Sequence, residues 1–155
     1  MAKERLNSEE IFSFLRPDQV NALSRAAQAV DLKAGETIYE RGAPATHFYV
    51  VLGGEVALRL PGKPGVSLLI DELGPGSMFG SCVSLEMKAY TLTAQCEQDC
   101  QLLKVEASAL KALLGGDPRM GYAVQSRISE IYFGRYVETM KKLQAIVMNI
   151  PIDVA

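Results

Sequence analysis

The chain has 155 residues, 48% of them hydrophobic, and a formal net charge of −2, which is one domain's worth of sequence with enough apolar material for a core. That balance excludes a disordered segment and gives no overall electrostatic pull toward nucleic acid or an anionic membrane. No apolar run approaches the roughly 18 residues of a bilayer crossing, and the Met1–Asn7 start lacks the apolar core of a secretory signal, so a cytoplasmic protein is expected.

In chain order, Asn7-Ser8-Glu9-Glu10 caps a short helix that carries Ile11, Phe14 and Leu15 on one side. Arg16-Pro17-Asp18 breaks it and opens a second helix, in which Val20, Leu23, Ala27 and Val30 recur near helical spacing. Short strands with Gly and Pro punctuation follow: Glu36 to Glu40, His47 to Leu52, Glu55 to Leu60 after the Gly53-Gly54 turn, Val66 to Leu73, Thr91 to Cys96 and Cys100 to Val105. Helices resume at Ala107 to Leu114, which Gly115-Gly116 ends. Asp117-Pro118 then opens a helix predicted to run to Asn149.

The expected architecture is mainly β with flanking α-helices: an antiparallel jelly roll or barrel, N-terminal helices, and a long C-terminal helix. A single domain spans 1–155, with helices over 1–30, the barrel over 31–106 and the C-terminal helices over 107–150.

Two features point to function. Gly76 to Ala94 has the layout of an anion-holding cassette: a Gly-bearing turn opens a short helix at Gly80, and a loop leads to the next strand. Free amides at such a helix start, together with its dipole, attract a negative charge. The second feature is the long helix, where Phe133, Tyr136, Met140, Leu143, Val147 and Ile150 follow spacings of 3, 4, 3, 4 and 3. That is an a/d seam, and because Val124, Ile128 and Ile131 already serve the barrel, it predicts a parallel homodimer.

Catalysis has little to stand on. Cys82, Cys96, Cys100 and the single His47 are too few and too scattered for a closed metal site, so no metal or cofactor is expected. The odd cysteine count fits buried thiols in a reducing compartment. Asp71-Glu72 and Glu97-x-Asp99 read as solvated loop carboxylates, and no enzyme is expected.

The order of motifs resembles the cyclic-nucleotide-binding domain family of catabolite activator proteins, protein kinase A regulatory subunits and gated channels, over about residues 8 to 145. Its anchors are Gly35-Glu-Thr-Ile-Tyr-Glu-Arg-Gly42, Phe48-Tyr-Val-Val-Leu-Gly-Gly54-Glu-Val, Leu73-Gly-Pro-Gly76-Ser-Met-Phe79-Gly80, Leu102-Leu-Lys-Val105 and Leu113-Leu-Gly-Gly-Asp-Pro118. The resemblance implies a regulatory sensor whose ligand is a cyclic nucleotide or another small anion. It puts Gly80 at the cassette glycine, Ser81 where the family has a ribose-binding glutamate, and Tyr90 where it has the phosphate-pairing arginine, with Thr91 and Leu92 next.

Two readings stay open. In one, an anion still binds the amides of Ser81, Cys82 and Val83, with Tyr90 donating one hydrogen bond and Lys88 facing solvent. In the other, Val83, Leu85, Met87 and Leu92 close the pocket or admit a hydrophobic ligand, and the domain is an adaptor that holds a protein partner on the outer helix face through Tyr132, Met140 and Val147. A transcription regulator of the family would carry a helix-turn-helix beyond the long helix, for which the five residues after Ile150 are too few, so no nucleic acid is expected as a partner.

Overall fold

The computed structural model describes residues 12–13, 15–80 and 88–149. Helix α1 (Pro17–Ser24) is opened by Pro17 and by Gln19, whose side chain accepts from the Arg16 amide at 2.8 Å. The first predicted helix lies largely outside the described residues, although Phe12 is fully buried. Where the helical spacing predicted that α1 runs on to Val30, the structure ends it at Ser24 and begins strand β1 (Ala27–Leu32). Ala27 and Val30 are three apart, a helical spacing that puts them on opposite faces of a strand, and pairing with Val105 and Leu102 decides for the strand.

Seven further strands follow: β2 (Thr37–Tyr39), β3 (His47–Gly53), β4 (Val56–Pro61), β5 (Ser67–Leu73), β6 (Met78–Gly80), β7 (Thr93–Cys96) and β8 (Cys100–Glu106). All pair antiparallel, in two four-stranded sheets ordered β1-β8-β3-β6 and β2-β7-β4-β5. This is the expected jelly-roll arrangement with flanking helices. Asp71 and Glu72 sit within β5 rather than in a loop. Glu97 pairs with Arg59 at 3.1 Å, and Asp99 accepts from the Ala34 amide at 2.9 Å.

The first sheet is covered on both faces, which explains the unbroken apolar run in β3. Phe48 and Val50 join Leu103, Val105 and Met78 against α1, helix α2 (Ala107–Gly116) and the first turns of helix α3 (Pro118–Met148). Tyr49 and Val51 point the other way, into the space between the sheets, with Val56, Leu58, Phe79, Ala94 and Leu102. Cys96 and Cys100 are buried there as free thiols; burial pushes the Cys96 thiol up to about 12, which keeps it protonated.

At the Gly53-Gly54 turn, Gly54 has φ +83°, and a Cβ there would lie 2.4 Å from the Asp99 carbonyl. Gly115 and Gly116 form the last turn of α2 rather than lying beyond it. Asp117 then caps α3, accepting from the Met120 amide at 3.2 Å while Gln19 and Arg16 donate to its other oxygen.

Candidate functional site

A cavity of about 300 Å³ opens between the barrel and α3. The barrel contributes Tyr39, Leu58, Phe79, Tyr90 and Leu92 to its wall, together with Gly80 and Thr91; α3 contributes Tyr132 and Arg135. Of the residues singled out by the sequence, Gly80, Tyr90, Thr91 and Leu92 therefore meet around one space. Ser81, Cys82 and Val83, like Leu85 and Met87, lie outside the described residues.

Gly80 is not the turn residue the sequence predicts. It ends β6, pairs with Phe48 of β3, and has φ +102°. A Cβ at this position would meet the His47 carbonyl at 2.9 Å and the Phe48 Cα at 3.1 Å, so glycine is needed for two backbones to approach. The three-residue strand escapes a sequence reading because Met-Phe-Gly is too short to show a period.

Tyr90 departs further from expectation. Its hydroxyl donates to the His47 carbonyl at 2.9 Å and accepts from the His47 amide at 3.2 Å, closing both ends of one residue on β3. Its backbone is tied as well, to Ala43 and Gly42. The ring is buried and lies flat on Tyr39, 3.7 Å between centroids and 13° from parallel, while Tyr49 and Phe79 stack alongside at 5.2 Å. The hydrogen bond the sequence offered to a ligand is thus made to the protein's own main chain. Burial raises the hydroxyls of Tyr39 and Tyr49, the latter to about 12, so this aromatic wall carries no charge at neutral pH. Thr91 and Lys88 are exposed.

The cation that sequence reasoning missed comes from the helix. Arg135 enters the cavity wall with its side chain only 18% exposed. Its guanidinium donates to the Met78 carbonyl, stands 4.0 Å from the Asp71 carboxylate, and lies 5.1 Å above the Tyr132 ring. Tyr132 is half-buried against the barrel and not on the outer face where the adaptor reading placed it. A signal existed: following the barrel-facing positions Val124, Ile128 and Ile131 one turn onward reaches Tyr132 and Arg135. Lys142 extends the attachment by donating to the Ile70 carbonyl at 2.8 Å.

On a neighbouring, outward side of α3, Phe133, Tyr136, Met140, Leu143 and Val147 are all exposed, from 67% at Phe133 to 43% at Val147. Among the described residues no three His, Cys, Asp or Glu side chains come together as a metal site, and no helix is long and apolar enough to cross a membrane.

Residues 29–117, more than half of the chain, match the model of the cyclic nucleotide-binding domain. The chain belongs to that family. The CRP-like cAMP-activated global transcriptional regulator of Mycobacterium tuberculosis is 24% identical over 110 residues, covering 71% of this chain and 49% of the regulator. A cAMP-dependent protein kinase regulatory subunit of Mycosarcoma maydis is 30% identical over 115 residues, covering 67% of this chain and 22% of the subunit. The chain thus spans half the length, or less, of these relatives. Among solved structures, the sensor domain of the transcriptional regulator DNR from Pseudomonas aeruginosa superposes with a TM-score of 0.74 at 20% identity, over 99% of this chain and 95% of that one; at that identity the likeness is one of fold. The family match ends before Pro118, so the cyclic nucleotide-binding segment supplies the barrel side of the cavity, and Arg135 and Tyr132 come from outside it.

Proposed function

We propose that this cyclic nucleotide-binding domain is a regulatory sensor module whose phosphate cassette has lost its charged contacts, so that cyclic nucleotide binding is weak, altered or absent. The observation that carries the reading is Tyr90: it stands at the family's arginine position, with its hydroxyl engaged by the His47 backbone and its ring against Tyr39. Ser81 stands in turn at the glutamate position. Each lost charge-assisted hydrogen bond removes about 1.5–3 kcal/mol, so two losses weaken binding by roughly two to four powers of ten.

The regulatory output is the seat of α3 on the barrel. Arg135 and Lys142 bridge the helix to β5 and β6, and the cavity is walled by both bodies, so an occupant that prefers one helix position shifts the balance between two. The exposed stripe Phe133, Tyr136, Met140, Leu143 and Val147 supports homodimerisation through α3. The same stripe favours a second reading, a non-sensing adaptor that holds a protein partner on this face.

Thermal melting against a panel of cyclic mono- and dinucleotides separates the two. A shift with one member is expected of a sensor, and a flat response up to millimolar concentration favours the adaptor. A sharper test is the double variant Ser81→Glu, Tyr90→Arg, which restores both charges and is expected to bind cyclic AMP more tightly than the wild type in calorimetry. A folded double variant that binds none counts against an open cassette.

A further inference from the structure

We infer that the cavity under α3 takes a small carboxylate on an apolar body, aromatic or aliphatic, with Arg135 as the residue that pairs the carboxylate. The inference deepens the sensor reading and rests on it. Among the described residues of the wall, Arg135 carries the only formal charge, and it is positive. The remainder is mostly ring and aliphatic surface, and the Tyr90 hydroxyl is already taken by main chain. A ligand with many hydroxyls and base edges would bury groups that this wall does little to satisfy, which is costly. An apolar body with one anionic end meets the wall on both counts. Ligand cavities run from roughly 300 to 1,000 Å³, so a space of about 300 Å³ belongs to a small molecule.

The state of Arg135 adds to this. A guanidinium has five donors in a planar fork that fits a carboxylate edge-on. Here it has a backbone carbonyl, that of Met78, and a carboxylate held at 4.0 Å, that of Asp71. Asp71 is therefore a resident competitor, close enough to hold the fork and too far for the two short parallel bonds that a mobile carboxylate would make. Exchanging Asp71 for a ligand carboxylate alters a contact between α3 and β5, so occupancy and helix seating are coupled through one side chain.

The test is calorimetric titration of the full chain with 3-phenylpropionate, its neutral amide 3-phenylpropanamide, and the cyclic nucleotide panel. Saturable binding of the acid is expected, with at least tenfold weaker binding of the amide. Arg135→Ala is expected to lose at least tenfold for the acid and little for the amide, Arg135→Lys to fall between, and Asp71→Asn to bind the acid several-fold more tightly than wild type. Equal binding of acid and amide by the wild type overturns the inference whether or not any variant folds. If a cyclic nucleotide binds and the acid does not, the inference falls and the sensor reading stands. If neither the acid nor any cyclic nucleotide binds the folded protein, the inference falls and the adaptor reading is favoured over the sensor.

Discussion

The ring of Tyr39 lies 3.7 Å from that of Tyr90, nearly parallel, and the Tyr90 hydroxyl reaches past it to bracket the amide and carbonyl of His47. Three separate strands or loops, β2, the segment before β7, and β3, are thereby fastened by one side chain. A position where the family resemblance implies ligand chemistry has become part of the core.

Tyr90→Phe keeps the stack and removes the two hydrogen bonds. It is expected to cost about 1–3 kcal/mol, read as a fall in denaturation midpoint with an unchanged slope. Tyr90→Arg alone, which places a guanidinium among rings, should cost more. A Tyr90→Phe variant as stable as the wild type would show that the bracket contributes nothing.

Gly80→Ala forces a side chain onto a φ of +102° and a Cβ to within 2.9 Å of the His47 carbonyl, against backbone that cannot move aside cheaply. The expected loss is on the order of 1–3 kcal/mol or more, which for a chain of this size lowers the melting temperature by several degrees. Gly115→Ala, where a Cβ meets nothing within 4 Å, is the control and should leave the midpoint within a degree or two.

The hydrogen bonds at the start of α3 give stability a pH dependence. The Met120 amide, then the Gln19 side chain, and also Arg16 hold the Asp117 carboxyl below the usual carboxylate range. A depressed folded pKa means that the ionised form favours folding. The contribution is complete above the unfolded value, near 4, and is lost as pH falls through the lower folded value. The melting temperature of the wild type should decline through this window, and Asp117→Asn, which keeps an acceptor but no titrating group, should decline less steeply. Parallel curves would remove Asp117 from the account.

For the helix seam, Leu143→Glu is expected to leave the protomer's stability within about 0.5 kcal/mol, because the side chain is half exposed, while converting a dimer to a monomer in sedimentation at micromolar concentration. A wild type that sediments only as a monomer under the same conditions would end the seam proposal.

Strands β3, β4 and β5 are legible because each is a run of six or seven residues with Gly or Pro at or beside an end, and β8 because Leu102, Leu103 and Val105 make a short apolar run. Two elements are not. β1 carries Ala27 and Val30 at a helical spacing, and only β8 lying beside it decides. β6 has three residues, and its glycine reads equally as a turn. Of the site, Gly80, Tyr90, Thr91 and Leu92 converge on one cavity, while the partner of the Tyr90 hydroxyl, the His47 backbone on β3, lies 43 residues away in sequence and has no local signal. Arg135 was invisible to a search for a cation within the cassette. Its place becomes apparent when the barrel-facing side of α3 is followed past Ile131, and the structure adds the partners it meets there, Met78 and Asp71.

The first sheet joins Ala27 to Val105 at one edge, and β8 supplies the neighbour of both β1 and β3. The β1 edge and one edge of β3 therefore stay unpaired until the segment ending at Glu106 is present, a long-range closure of the kind that slows folding. A chain broken off before that residue would hold β1 and β3 without the strand that lies between them, and the cavity is walled only once Tyr132 and Arg135 of α3 have followed.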